Sequence, residues 1–346
     1  MKTTATKILA LALSLLMLFA FVGCAKDDTR EDNTPAPDNT KPLDTELEMK
    51  IYALNGTTAL GMAKMIEDSK NNTDTMNYNI SLHTSADAIT GAIVTGECAI
   101  AALPTNVAVK LFNKSQGKLQ LLAINTLGVL YVLEDGTQSI NSLEDLRGKT
   151  IYLPGAGSNP EYITAALLSS AGLTVGTDVF LDTTTYNSPD ALQQAMIQGK
   201  APIAVLPEPK VSATTSAKPT IKVALDLTKE WEDINGKNTL VQGCLVVNAA
   251  FAKQHPQEIA KFLEDYKTSV ETIQKGDQTA IDLIVNAGIL PKAAIAQKAL
   301  PNCNICFVAG NDMKPIMNTF CEKIFAYDKT SIGGALPTDA FYYVGA

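Results

Sequence analysis

SADAITGAIVTGECAIAALP (residues 85–104) and SPDALQQAMIQGKAPIAVLP (residues 188–207) spell one piece of architecture twice. At a constant offset of 103 residues (188 − 85), Ser85 falls on Ser188, Asp87 on Asp190, Ala88 on Ala191, Ala92 on Ala195 and Gly96 on Gly199. Ile100, Ala101, Leu103 and Pro104 fall on Ile203, Ala204, Leu206 and Pro207. Each match has a structural use: a helix start, a packed small residue, a glycine turn, a buried strand, and a Leu-Pro step opening the next helix. The chain therefore contains two αβ units of shared plan.

Working outward, Met49–Leu54 (MKIYAL) reads as a strand, followed by Asn55-Gly56-Thr57-Thr58 and an amphipathic helix to about Ser69. Strand, helix, strand, helix and strand patterns follow at 78–83, 86–95, 98–103, 106–114 and 119–125. Such alternation predicts an α/β domain with largely parallel strands. A second unit opens at Ser142-Leu143-Glu144-Asp145-Leu146-Arg147-Gly148-Lys149. It continues as the strand 150–153, the turn Gly155-Ala156-Gly157-Ser158-Asn159 and a helix over 160–171. Thr126–Leu133 leads from the first unit into the second and Val241–Val247 leads back; with Gly128 and Gly243 these are the expected two-stranded hinge. Lobe 1 is thus expected over 49–127 and 244–346, and lobe 2 over 128–243.

In an open α/β sheet ligands collect beyond the carboxyl ends of the strands, where helix N-termini present free N–H groups. In lobe 1 this selects Gly56, Thr57 and Thr58 after the first strand, Thr84 and Ser85 after the second, and Pro104, Thr105 and Asn106 after the third. In lobe 2 it selects Gly157, Ser158 and Asn159, then Tyr186 and Asn187, then Glu208; Gly128 stands at the crossing. The hydroxyl and amide residues among these also cap helices in any protein, so both roles are open for each. Glu208 occupies the repeat position of Thr105, which places a carboxylate where the other lobe has a hydroxyl. It would repel a simple oxyanion and accept hydrogen bonds from an amine or aminopyrimidine, or it complements the dipole of the helix it opens. Tyr131 has a hinge-packing role open to it. His83 is expected to be structural, and His255, before Pro256, is given no functional role.

The ends of the chain set its address. Lys2 and Lys7, then Ile8–Phe21, apolar but for Ser14, then Gly23 before Cys24, form a secretory signal over 1–23. The run is too short to span a bilayer. Phe21-Val22-Gly23-Cys24 resembles the lipobox of bacterial lipoproteins, with Phe21 where Leu is usual, and the resemblance implies acylation, as by palmitate, of Cys24. From Ala25 to Glu48 the sequence is Asp, Thr, Asn, Pro and Lys with almost nothing apolar, a composition that cannot offset its chain entropy, so 24–48 is expected to be an anchored, disordered tether.

Composition excludes several classes. A net charge of −8 and a pI near 4.9 argue against nucleic acid. Hydrophobic residues make up 46% of the 346-residue chain, enough for packed cores in the roughly 300 residues beyond the tether, a length that favours two lobes. Arginine occurs only at 30 and 147, so the cleft has no guanidinium with which to clamp an anion. Beyond Cys24 the odd set Cys98, Cys244, Cys303, Cys306 and Cys321 gives no even disulfide framework. Cys303 and Cys306 lack a second pair or nearby histidine, so a structural role is expected and no metal.

Taken together, Leu143–Ile151, Gly155–Tyr162, Asp190–Leu192 running to Leu206–Pro209, His255–Leu263 and Ser331–Pro337 resemble the type II periplasmic-binding proteins of the nitrate, sulfonate, taurine and thiamine-precursor transport group, over about 49–346. The resemblance implies an α/β fold of two Rossmann-like lobes, C-terminal helices packed on the first lobe, and a cleft that closes on a solute and docks on a permease. The implied partners are a small-molecule solute, an ABC permease with its ATPase, and the membrane through Cys24. A monomer on the extracytoplasmic face is expected, with no cofactor and no catalytic residue. Glu208 and the missing arginine favour a small organic solute, aromatic or heterocyclic such as a pyrimidine, or sulfonate-like. Two alternatives share the fold: a ligand-sensing lipoprotein, and an enzyme resembling pyrimidine synthases, whose cysteine-rich iron motif this chain lacks.

Overall fold

The computed structural model describes residues 42–74, 76–136 and 139–345. The signal segment, Cys24 and the tether up to residue 41 lie outside them. The tether was expected to reach Glu48, but the backbone is tied down earlier. Asp44 N–H donates to the Glu258 carboxylate (2.9 Å), and the Thr45 and Glu46 carbonyls accept from Asn77.

Among the described residues eleven strands form two sheets. β1 (Met49–Leu54), β2 (Tyr78–His83), β3 (Ile100–Pro104), β4 (Leu119–Leu127), β10 (Val241–Asn248) and β11 (Ile305–Ala309) make the first, in the order β11-β4-β10-β3-β1-β2. β5 (Leu130–Asp135), β6 (Thr150–Tyr152), β7 (Phe180–Asp182), β8 (Ile203–Pro207) and β9 (Ile221–Asp226) make the second, in the order β7-β6-β8-β5-β9. Read from β2 and from β7, the first five strands of each sheet follow one plan: second, first and third strand, then the strand that crosses between sheets, then the fourth. The two-lobed α/β fold expected from the sequence is present.

The repeat is a structural repeat. β3 and β8 span matching residues at the 103 offset, with the same burial along their length. Gly96 and Gly199 both have left-handed backbones (φ 81° and 74°) that end the preceding helix, a conformation costly to a side chain. Ser188 caps its helix by accepting from Ala191 N–H (3.2 Å), and Ser85 accepts from Asp87 N–H (3.2 Å). Helix Leu143–Leu146 is a short 3-10 turn closed by a capping box between Ser142 and Asp145.

The expectation of largely parallel strands is corrected. β1 pairs in parallel with β2 and β3, and β6 with β7 and β8. The crossing strands run the other way: β10 is antiparallel to β3 and β4, and β5 to β8 and β9. A strand arriving from the other lobe enters at the end where the local strands finish. β10 already pairs with β4 from Val241, so the return crossing lies in residues 236–240, before the stretch expected to carry it.

Side-chain alternation divides the interior into three cores. Ile100 and Ala102 of β3, with Leu245 and Val247 of β10, face one, which is closed by Phe262 and Tyr266 of helix Pro256–Gln274. Leu133, Ala204 and Leu206 face the outer core of the second sheet. Between them, Ala101, Leu103, Cys244 and Val246 share a single core with Val132, Ile151, Val205, Trp231 and Phe320. Helix Met313–Tyr327 lies in that shared core and contacts both β10 and helix Asn159–Ser170. The C-terminal helix thus packs on both lobes, where the sequence resemblance implied only the first. Among the described residues no helix is long and apolar enough to cross a membrane.

Candidate functional site

The carboxyl ends of β1, β3, β6 and β8 converge on a cleft of ≈ 370 Å³ between the sheets. Gly56, Thr57, Thr58, Pro104 and Asn106 line it from the first sheet; Gly157, Ser158, Asn159 and Glu208 line it from the second. Backbone geometry explains why these residues reach it. Gly56 (φ 130°) turns the chain from β1 into the short helix Thr57–Leu60. Thr58 Oγ1 donates back to Leu54 O (2.6 Å), and Asn125 Nδ2 of β4 donates to Thr58 O (2.9 Å), which pins the turn to the sheet. On the other side Ser158 Oγ donates to Gly155 O (2.8 Å) ahead of helix Asn159–Ser170.

Two amides stitch the halves together across the cleft. Asn106 Nδ2, at the start of helix Thr105–Ser115, donates to Gly157 O (3.2 Å), and Asn159 Nδ2 donates to Gln242 O in β10 (3.1 Å). Gln242 also lines the cleft and was missed by the sequence analysis. The signal was visible: a polar residue inside the buried strand VQGCLVVN, whose other polar residue, Asn248, caps the following helix. The remaining wall is largely apolar, with Val129, Pro154, Pro189, Pro207 and Pro209 prominent.

Six sequence candidates are placed away from the lining. Thr84 and Ser85 are exposed, with Ser85 starting the helix Asp87–Thr95. Thr105 is fully buried beside the Cys244 thiol. Tyr186 packs on Tyr152 (centroids 5.5 Å apart), and the Asn187 carbonyl lies against Gly155. Gly128 faces Thr228: a Cβ there would stand 2.3 Å from Thr228 Oγ1. Gly128 and Gly243 have no left-handed φ, so the expected hinge glycines are there for close packing. Tyr131 is packed in the outer core of the second sheet.

Glu208 lines the cleft yet is only 3% exposed, with both oxygens engaged. Oε2 accepts from Ser212 N–H (3.0 Å) and Oε1 from the Ser212 hydroxyl (2.9 Å), at the head of helix Lys210–Ala217. The carboxylate thus completes the first turn of that helix, the local role open to it from the sequence. Burial raises its pKa, opposed by Ser212, the Lys298 charge and Asn302. For an acid held above its ordinary value of 4.5, the native state binds more protons than the unfolded chain between that value and the folded one. Stability contributed at low pH is therefore lost as pH rises through the folded pKa. We expect the stability of Glu208→Gln relative to the wild type to increase from pH 4.5 to pH 7 in urea denaturation; a difference that stays flat with pH would show that Glu208 does not titrate in this way.

Among the described residues Cys98, Cys244, Cys303 and Cys321 are buried and Cys306 is half-buried. Desolvation pushes Cys98, Cys244 and Cys306 up to about 12 and raises Cys303 and Cys321 as well. Cys303 Sγ–H donates to Ala299 O (3.2 Å), a local helix bond. Among the described residues no cluster of three or more His, Cys, Asp or Glu is placed to hold a metal. His83 packs on Tyr52 (centroids 4.5 Å apart) and His255 on Phe251 (4.6 Å), both pairs tilted and away from the cleft lining.

Residues 118–280 match the family described as NMT1/THI5 like. No curated protein matches the chain significantly. Solved structures do. An ABC transporter protein from Parabacteroides distasonis is 23% identical, with 87% of this chain and 99% of that chain covered and a TM-score of 0.72. The periplasmic aliphatic sulphonate binding protein SsuA from Escherichia coli is 14% identical, covering 86% and 92%, with a TM-score of 0.69. The alkanesulfonate-binding protein SsuA from Xanthomonas axonopodis pv. citri, bound to MOPS, is 13% identical, covering 86% and 96%, with a TM-score of 0.64. At these identities the likeness is one of fold, and the fold is that of the periplasmic binding proteins.

Proposed function

We propose that this chain is an extracytoplasmic solute receptor of an ABC importer, anchored to the membrane by lipid on Cys24. The single observation that carries the proposal is the cleft: helix starts from two sheets of one plan meet across it, joined by the Asn106–Gly157 bond. Such a site can enclose a small solute, exclude water and couple occupancy to the relative placement of the lobes. Binding followed by release to a permease is the whole of the proposed activity. The lipobox-like Phe21–Cys24 supports anchoring, which would hold the receptor within reach of its membrane partner.

The proposed solute is a small organic molecule, sulfonate-like or aromatic and heterocyclic. Two structural neighbours are sulphonate-binding proteins, which supports the first class. The Glu208 carboxylate and the scarcity of arginine support the second. Thermal-shift screening against sulfonates, inorganic oxyanions and pyrimidines tests the proposal: an organic solute should raise the midpoint by several degrees at saturating concentration. Stabilisation by inorganic oxyanions alone would overturn the organic-solute assignment. In the same experiment, Cys24→Ala should keep the solute response and move the protein from the membrane to the soluble fraction. Retention in the membrane would count against the anchor.

A further inference from the structure

Three amides of the cleft are buried without being satisfied. Asn106, Asn159 and Gln242 are 1%, 3% and 8% exposed, and all three line the cleft. Each keeps one polar atom with no partner: Oδ1 of Asn106, Oδ1 of Asn159 and Nε2 of Gln242. The orientation of both asparagines is fixed by what their other end does. Asn106 Nδ2 already donates to Gly157 O and Asn159 Nδ2 to Gln242 O. Turning either amide over would set oxygen against oxygen. The free atom of each asparagine is therefore an acceptor, and Gln242 adds one N–H donor.

Among the described residues the cleft lining carries no unpaired positive charge. Both Glu208 oxygens are held by Ser212, and Lys210, the lysine of the cleft lining, is paired with Asp190. A sulfonate, carboxylate or nitrate brings only acceptor oxygens. Closed on such a group, the cleft would leave two buried carbonyl oxygens facing oxygen, beside a carboxylate, which is costly at low local dielectric. A neutral group bearing N–H or O–H donors would pair with both and accept from Gln242, while Pro104, Pro154, Pro189 and Val129 cover its apolar body.

We infer that Asn106 Oδ1 and Asn159 Oδ1 are specificity determinants selecting an uncharged organic solute with at least two N–H or O–H donors and one acceptor, the pattern of an amide, sulfonamide or ureide. This rests on the receptor proposal and decides between its solute classes. Pairs of near-identical shape test it: ethanesulfonamide against ethanesulfonate, benzenesulfonamide against benzenesulfonate, and nicotinamide against nicotinate, each titrated calorimetrically into the purified full chain. The neutral member of at least one pair should bind at least tenfold more tightly than its anion, and no anion should bind more tightly than its neutral partner. Asn106→Leu and Asn159→Leu should each weaken that neutral member roughly tenfold, as removal of one acceptor does. Thermal midpoints of the variants separate lost binding from lost fold, and if a variant does not fold the preference within the pairs decides alone. Tighter binding of any anion, or folded variants that bind as well as the wild type, would overturn the inference and leave the receptor proposal standing. Binding of no member of any pair would overturn the inference, and the receptor proposal is then decided by the wider thermal-shift screen.

Discussion

Replacing Trp231 by alanine will lower stability by about 3–5 kcal/mol and the thermal midpoint by roughly 10 °C. Helix Leu227–Asn235 follows β9 and begins at Asp226, whose carboxylate accepts from Thr228 N–H (2.9 Å) and Lys229 N–H (3.4 Å). Only Leu227 and Trp231 of that helix are buried, one turn apart on one face. The attachment of the helix therefore rests on these two side chains. Trp231 is 1% exposed, its ring lies 6.0 Å from that of Phe320 in helix Met313–Tyr327, and its Nε1–H donates to Thr239 Oγ1 (3.0 Å). Truncation would empty the shared core where the C-terminal helix meets the second lobe. Trp231→Phe keeps most of the apolar area and loses the Thr239 bond, so its cost should be nearer 1 kcal/mol. Urea denaturation measures both. A Trp231→Ala loss below about 1 kcal/mol would show that the site collapses around the missing ring and that this contact does not hold the helices together.

The repeat was legible because buried β3 and β8, with their glycine turns, tolerate few alternatives; small apolar residues and left-handed glycines recur where backbones pack or reverse. The direction of β5 and β10 was not legible. Strand sense depends on where a connection arrives, and nothing in VQGCLVVN encodes that its neighbours run the other way. Helix-start residues such as Thr57, Asn106 and Asn159 line the cleft, while Thr105, also at a helix start, is buried away from it. Residues chosen by adjacency alone lie outside the lining: Tyr186 packs on Tyr152, and Ser85 accepts from Asp87 N–H. Glu208 reached the cleft wall but is engaged by Ser212, because a residue four positions ahead offered both an N–H and a hydroxyl. Polar position is written in the sequence more clearly than polar orientation, which is decided by the nearest unmet partner.

A side chain at position 243 should damage both stability and solute capture, because the fold and the site share that space. Gly243 lies in β10, opposite Pro104 of β3 and Thr126 of β4. Its φ is not left-handed, so alanine could adopt the backbone; what it lacks is room. A Cβ would stand 2.6 Å from Thr58 Cγ2, 2.8 Å from Asn125 Oδ1 and 3.1 Å from Thr126 Oγ1. These are the groups that set the cleft mouth: Asn125 donates to Thr58 O, and Thr126 Oγ1 donates to Thr57 O at 3.5 Å. Relief requires moving the Thr57–Leu60 turn off the sheet or breaking the Asn125 bond. Gly243→Ala should cost about 1–3 kcal/mol and Gly243→Val more. Both should weaken the stabilising solute by at least about tenfold, as expected when a buried positioning hydrogen bond is lost. Gly91→Ala is the matched control. Gly91 is exposed in helix Asp87–Thr95, has no left-handed φ, and a Cβ there would meet no atom within 4 Å, so alanine should be neutral or stabilising by about 0.5–1 kcal/mol. Gly243→Ala with wild-type stability and solute response would mean that the Thr57–Leu60 turn is positioned independently of β10, and that the crossing strand plays no part in shaping the cleft.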